Sequence, residues 1–162
     1  MRLQYLTVTL LAVSLALGAS ASPVYSAGPE RDRYVKTVEP ICRAATVDHG
    51  HILRGVEELV RRGKLTKAAV RFKRAANVLA GVVGKLAKVP RPPADAERLA
   101  KWLRYGTVDE GLLRKISRTL EEGSRAMVPH LASELLRETK RANAVVVGFG
   151  FNYCRLKPDR FA

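Results

Sequence analysis

Apolar residues recur along this chain at three- and four-residue steps, the spacing of one face of an α-helix, in four successive blocks. The first block holds Tyr34, Val38, Ile41, Ala45, Ile52, Val56 and Leu59 and predicts a helix that ends near Gly63. Pro40 falls inside it. Because a residue before proline avoids α geometry, the pattern predicts either a short helix stopping near Glu39 or a main helix whose first position is Pro40. The second block is the most regular, with Leu65, Ala68, Ala69, Phe72, Ala75, Ala76, Leu79, Val82, Val83 and Leu86 forming one unbroken stripe. Val-Pro-Arg-Pro-Pro at 89–93 must end it, since prolines lack the N–H donors a helix interior needs.

The third block sets Leu99, Trp102 and Leu103 on one face and continues through Leu112, Leu113, Ile116 and Leu120. Its middle, Tyr105 to Glu110, predicts a kink or a restart, because Thr107 and Glu110 stand at capping-box spacing. Gly123 is placed to end this helix and Ser124 to cap the next. The fourth stripe is Met127, Leu131, Leu135, Thr139, Ala142 and Val146, with Pro129 suited to a first turn. No stretch alternates as a strand would. Four amphipathic helices on short connections predict an all-α, up-down-up-down four-helix bundle.

Ahead of these blocks, the N-terminus has one charge, Arg2, then an apolar core from Leu6 to Leu17 and small residues at Ala19 and Ala21. That core is shorter than the roughly 20 residues a bilayer span needs. The layout is that of a secretory signal peptide over residues 1–21, cut after Ala21. Residues 22–30, small and containing Pro and Gly, read as a flexible leader, and 31–162 as a single helical-bundle domain. The expected location is secreted or extracytoplasmic, in the cell envelope, with no transmembrane segment left after cleavage.

Charge adds a second feature. The 162 residues hold 29 Lys and Arg against 15 Asp and Glu, a net +14, and losing the leader removes only Arg2. Such an imbalance favours anionic partners without dictating a fold. Between Leu59 and Ala94 there are ten Lys or Arg and no acidic residue. At helical pitch, Lys67, Arg71, Arg74, Lys85 and Lys88 fall within about 100° of one another, away from the apolar stripe. They form a candidate anion-binding ribbon for an envelope polymer or a membrane surface, against the plainer reading of a solvated face. Nucleic acid is disfavoured, because no aromatic residue interleaves with the bases to stack and Phe72 belongs to the apolar side.

Candidate chemistry is sparse. Cys42 and Cys154 are the only cysteines, and export would place them where a disulfide is the expected state. An up-down-up-down bundle brings the end of its fourth helix beside the start of its first, so topology would bring the same two residues together. Val145 to Cys154, VVVGFGFNYC, suggests a strand entering a dinucleotide turn, but that fingerprint needs a glycine where Tyr153 stands. Gly148 and Gly150 are expected instead to turn the chain so that Cys154 reaches back. Asp48-His49-Gly50-His51 hints at a metal, yet His49 and His51 are two apart and do not share a helix face. His130 is the only other imidazole, so the three are weak metal candidates. Met127 and His130 have a spacing that could ligate copper or haem from inside a bundle, against the plainer expectation of a core methionine beside a partly buried histidine. Glu-x-x-His pairs, G-x-S-x-G and a P-loop are absent from the sequence. The acidic pairs Glu57/Glu58, Asp109/Glu110 and Glu121/Glu122 read as solvated helix faces. No catalytic residue and no cofactor is assigned.

Three stretches, YVKTVEPICR at 34–43, PRPPADAERLAKWL at 90–103 and ANAVVVGFGFNYCR at 142–155, resemble a family of small exported helical-bundle proteins of high-GC Gram-positive (actinobacterial) bacteria. The resemblance spans nearly all of the chain after the leader. It implies export and the pairing of Cys42 with Cys154, and it carries no catalytic or ligand residue. The expected function is a non-enzymatic exported binding module of the cell envelope that contacts anionic polymers through its basic helix; a metal- or haem-binding bundle is the alternative.

Overall fold

A computed structural model describes residues 28–155. The expected signal peptide and residues 22–27 of the leader lie outside the described residues. The described chain is a helical bundle: α1 (Pro29–His49), α2 (Val56–Arg61), α3 (Leu65–Ala87), α4 (Ala96–Glu121) and α5 (Val128–Val145), with single 3-10 turns at Pro93–Asp95, Arg125–Met127 and Val147–Phe149. Four of these helices are long, and no strand occurs among the described residues.

The boundaries correct the sequence reading in four places. First, α1 begins at Pro29, with Glu30 and Asp32 in its first turn where the helix dipole favours them, so the last two residues of the expected leader are helical. Second, α1 runs straight through Pro40. Pro40 and Lys36 are both exposed, so the turn in which proline removes one backbone hydrogen bond lies on the solvent side of the helix. The block expected to continue to Gly63 instead breaks after His49 and restarts at α2, entered through Gly55 at φ +70°, a left-handed conformation that suits glycine.

Third, α4 is continuous where a kink was expected. The Thr107 hydroxyl donates back to the Leu103 carbonyl at 3.4 Å instead of capping a new helix. Gly106 serves close approach, since a Cβ there would stand 2.9 Å from Val83 Cγ2 on α3. Fourth, Ser124 does not cap α5: a 3-10 turn intervenes, and Pro129 sits in the helix's first turn. Met127 lies in that intervening turn and is 50% exposed, so it is no core methionine.

Two hydrophobic clusters form at opposite ends. Tyr34, Val38, Leu99, Trp102, Phe149 and Phe151 belong to one, and Ile52, Phe72, Ile116, Leu120 and Leu131 to the other. The longest interfaces run from α3 to α4 and from α4 to α5; α1 leans on α3 and on the turn after α5, and has little backbone approach to α5 itself.

Candidate functional site, an interior apolar cavity

The end of the chain is held against α1 by several independent ties. Cys42 and Cys154 form a disulfide with their Cα atoms 5.1 Å apart. The Glu39 carboxylate accepts the backbone N–H groups of Asn152, Tyr153 and Cys154 at 3.0–3.1 Å, satisfying donors that no helix or sheet serves. Gly150, at φ +70°, turns the chain between Phe149 and Phe151, and both rings enter the core; Gly148 lies exposed in the preceding 3-10 turn, so Gly150 alone supplies the left-handed bend. Phe151 stands 5.3 Å from Trp102 and 5.4 Å from Phe149, centroid to centroid. Arg31 and Arg98 lie 4.8 and 5.2 Å from the Phe149 ring centre. Arg31 is also bidentate to Asp95 at 2.7 and 2.6 Å, and Arg98 donates to the Val145 carbonyl at the end of α5 at 2.5 Å.

Between the two clusters lies a cavity of about 1050 Å³. All five helices and the closing segment contribute to its wall, which is largely aliphatic: Val78, Leu79, Val82, Leu103 and Leu135 are among its residues. Its lining reaches the exposed side chains of Arg61, Arg125 and Leu136, so the cavity meets solvent.

Two polar side chains stand out in this wall. Asp109, on α4, is 1% exposed; its Oδ2 accepts the Thr139 hydroxyl of α5 at 3.0 Å, and its Oδ1 has no hydrogen-bond partner among the described residues. Burial pushes this carboxyl up to about 7, with the Thr139 bond pulling the other way and the charge of Glu138 adding to the rise. His49, near the end of α1, is half-buried, and its Nδ1 is buried and unpartnered among the described residues.

The sequence reading had Asp109 on a solvated face, paired with Glu110. Glu110 does turn outward to Arg114, but Asp109 points inward. A signal for this exists: Leu99, Trp102, Gly106, Asp109, Leu113, Ile116 and Leu120 alternate steps of three and four, so Asp109 occupies a place in the buried stripe. Its partner Thr139 sits in the stripe of α5 in the same way.

Of the other candidates, Cys42, Cys154 and His49 line the cavity and the rest fall outside it. Lys67, Arg71, Arg74, Lys85 and Lys88 are all exposed on α3, and none of them lines the interior. Arg71 donates to the Arg54 carbonyl at 2.6 Å, tying the turn before α2 onto α3. His51 is exposed in that turn, and His130 is exposed near the start of α5. Met127 and His130 therefore do not reach the interior, which corrects the expectation of a partly buried His130. Among the described residues no three His, Cys, Asp or Glu side chains are grouped to hold a metal ion, and no helix is long and apolar enough to cross a membrane. Comparison with family models, with curated proteins and with solved structures finds no match.

Proposed function

We propose that this chain is an exported, non-enzymatic binding module of the cell envelope that carries an apolar small molecule between its helices. In this reading residues 1–21 are removed on export, as the resemblance to small exported actinobacterial proteins implies, and the remainder is an up-down-up-down bundle whose seam between α1 and α5 stays open. The observation that carries the reading is the cavity of about 1050 Å³. Protein interiors pack to crystal-like density with few voids larger than a water molecule, and walls that face a void lose dispersion contacts. A space this large and this apolar, in a chain of this length, matches the roughly 300–1,000 Å³ of ligand sites. A disulfide is compatible with an oxidising, extracytoplasmic location.

The basic face of α3 supplies the contact with anionic envelope polymer. Its five cations are exposed and none of them lines the cavity, so docking through them leaves the interior free. Binding to an anionic polymer is expected to fall steeply with salt and to be lost when Lys67, Arg74 and Lys85 are reversed to Glu, leaving Arg71 to its structural bond; salt-independent binding would reject this contact.

The cavity is tested with the neutral fluorophore N-phenyl-1-naphthylamine. Saturable, one-to-one fluorescence enhancement is expected, weakened when Leu79→Trp and Leu135→Trp together narrow the space. Failure of the folded protein to take up the probe overturns the reading. Haem is a second reading, favoured by one observation: the His49 side chain forms part of the cavity wall. It requires a Soret shift on adding hemin that His49→Ala removes.

A further inference from the structure

We infer that Asp109 anchors the cavity's ligand, which is therefore an aliphatic molecule bearing a neutral hydrogen-bond donor, a hydroxyl above all, rather than a plain hydrocarbon or a carboxylate. The inference rests on the cavity being a ligand site and specifies what that site selects. Asp109 forms part of the cavity wall and is 1% exposed, and Thr139 satisfies only Oδ2, leaving Oδ1 buried with no partner among the described residues. A buried polar atom left without a hydrogen bond costs about 1–3 kcal/mol, so a ligand that supplies one gains over a ligand of the same shape that does not. The surroundings favour a neutral donor. Glu138 is the charged neighbour from α5, and His49 of α1 lines the same wall; the other charged residues of the lining, Glu57, Arg61, Arg125 and Arg155, are exposed, and among the described residues no Lys or Arg is hydrogen-bonded to the carboxyl. An anionic head would face Asp109 uncompensated, whereas a hydroxyl donates to Oδ1 when the carboxylate is ionised and accepts from it when it is protonated. The position fits as well: Asp109 sits on α4 between Trp102, which packs in one cluster, and Leu113, which packs in the other. Aliphatic wall therefore extends on both sides of it for the ligand's chain.

The test displaces N-phenyl-1-naphthylamine from the full secreted chain at pH 8 with dodecan-1-ol, its methyl ether and dodecanoate. Wild type is expected to prefer the alcohol over the ether by about tenfold, the value of one hydrogen bond to a charged group, and to bind dodecanoate more weakly still. Asp109→Asn, which can donate as well as accept, narrows the alcohol-to-ether ratio, and Asp109→Leu brings it to one; circular dichroism checks that each variant is folded. Equal affinity for alcohol and ether in wild type overturns the anchor, as does a preference that survives in folded Asp109→Leu. Since the first comparison uses no variant, misfolding cannot obscure it. Probe uptake with no alcohol preference defeats this inference alone, and no probe uptake at all defeats the cavity reading beneath it.

Discussion

The two ends of the bundle are built on different principles. At the end where Ile52 and Leu131 lie, α3 meets α4 through small side chains: Ala68, Ala69 and Ala76 are fully buried, and the Ser117 hydroxyl of α4 donates to the Ala69 carbonyl of α3 at 2.9 Å. At the other end, large rings fill the core, and α1 and the closing segment are held by a disulfide, a buried ion pair and a carboxylate that collects three backbone amides. Small residues let two regular helices approach closely, so continuous dispersion contact suffices there. An irregular segment has few internal hydrogen bonds and a large ordering entropy, so it needs specific long-range ties. The cavity lies between the two, walled by residues of both clusters, Trp102 and Cys42 from one and Phe72 and Leu113 from the other.

The largest way to break this contrast is to remove the disulfide. Cys42 and Cys154 are 112 residues apart, so Cys42→Ser with Cys154→Ser is expected to lower stability by about 4–5 kcal/mol in denaturant unfolding. Hydrogen exchange in that variant is expected to rise in α1 and in 147–154 well before α3 and α4; uniform loss of protection would mean that the two ends are one cooperative unit.

Next is Arg31→Met. It leaves Asp95, 4% exposed, without its bidentate partner and is expected to cost about 3–4 kcal/mol, much of it recovered when Asp95→Leu is added. A double variant no better than the single would mean that Arg31 acts mainly through the Phe149 ring.

Asp109 reports on the layer between the ends. Folding raises its carboxyl to about 7, so its contribution to stability is whole below about pH 4, declines as pH rises toward 7 and is constant above. The stability of Asp109→Asn relative to wild type is expected to rise by about 2–4 kcal/mol between pH 4 and pH 8. Parallel pH profiles for the two proteins would show that the carboxyl is better solvated than its burial implies.

The smallest effect is expected at the small-residue end, where Ala69→Leu should cost about 1–3 kcal/mol by overpacking, with exchange rising in α3 and α4 while 147–154 stays protected. Unfolding of the closing segment first would erase the distinction between the ends.

Much of the fold was legible because helical periodicity is a local property. The stripes of α3, α4 and α5 and the proline break at 89–93 follow from spacing alone, and the pairing of Cys42 with Cys154 follows from there being only two cysteines. The errors arose where local rules met their surroundings. Pro40 is tolerated on the exposed side of its helix, and Gly106 stands inside a continuous helix where α3 approaches closely. Neither fact is encoded at the position itself.

The candidate site was less legible. The basic residues of α3 are legible because charge shows in composition, whereas Asp109 reads as one of an acidic pair although its register matches the apolar stripe. By itself the sequence determined which faces of each helix are apolar and which two thiols can join, since both depend on residue type and spacing along one chain. Only the tertiary structure decided that the faces enclose a space instead of closing on one another. The volume of a cavity depends on how far apart whole helices stand, and that distance is set by contacts among residues remote in sequence.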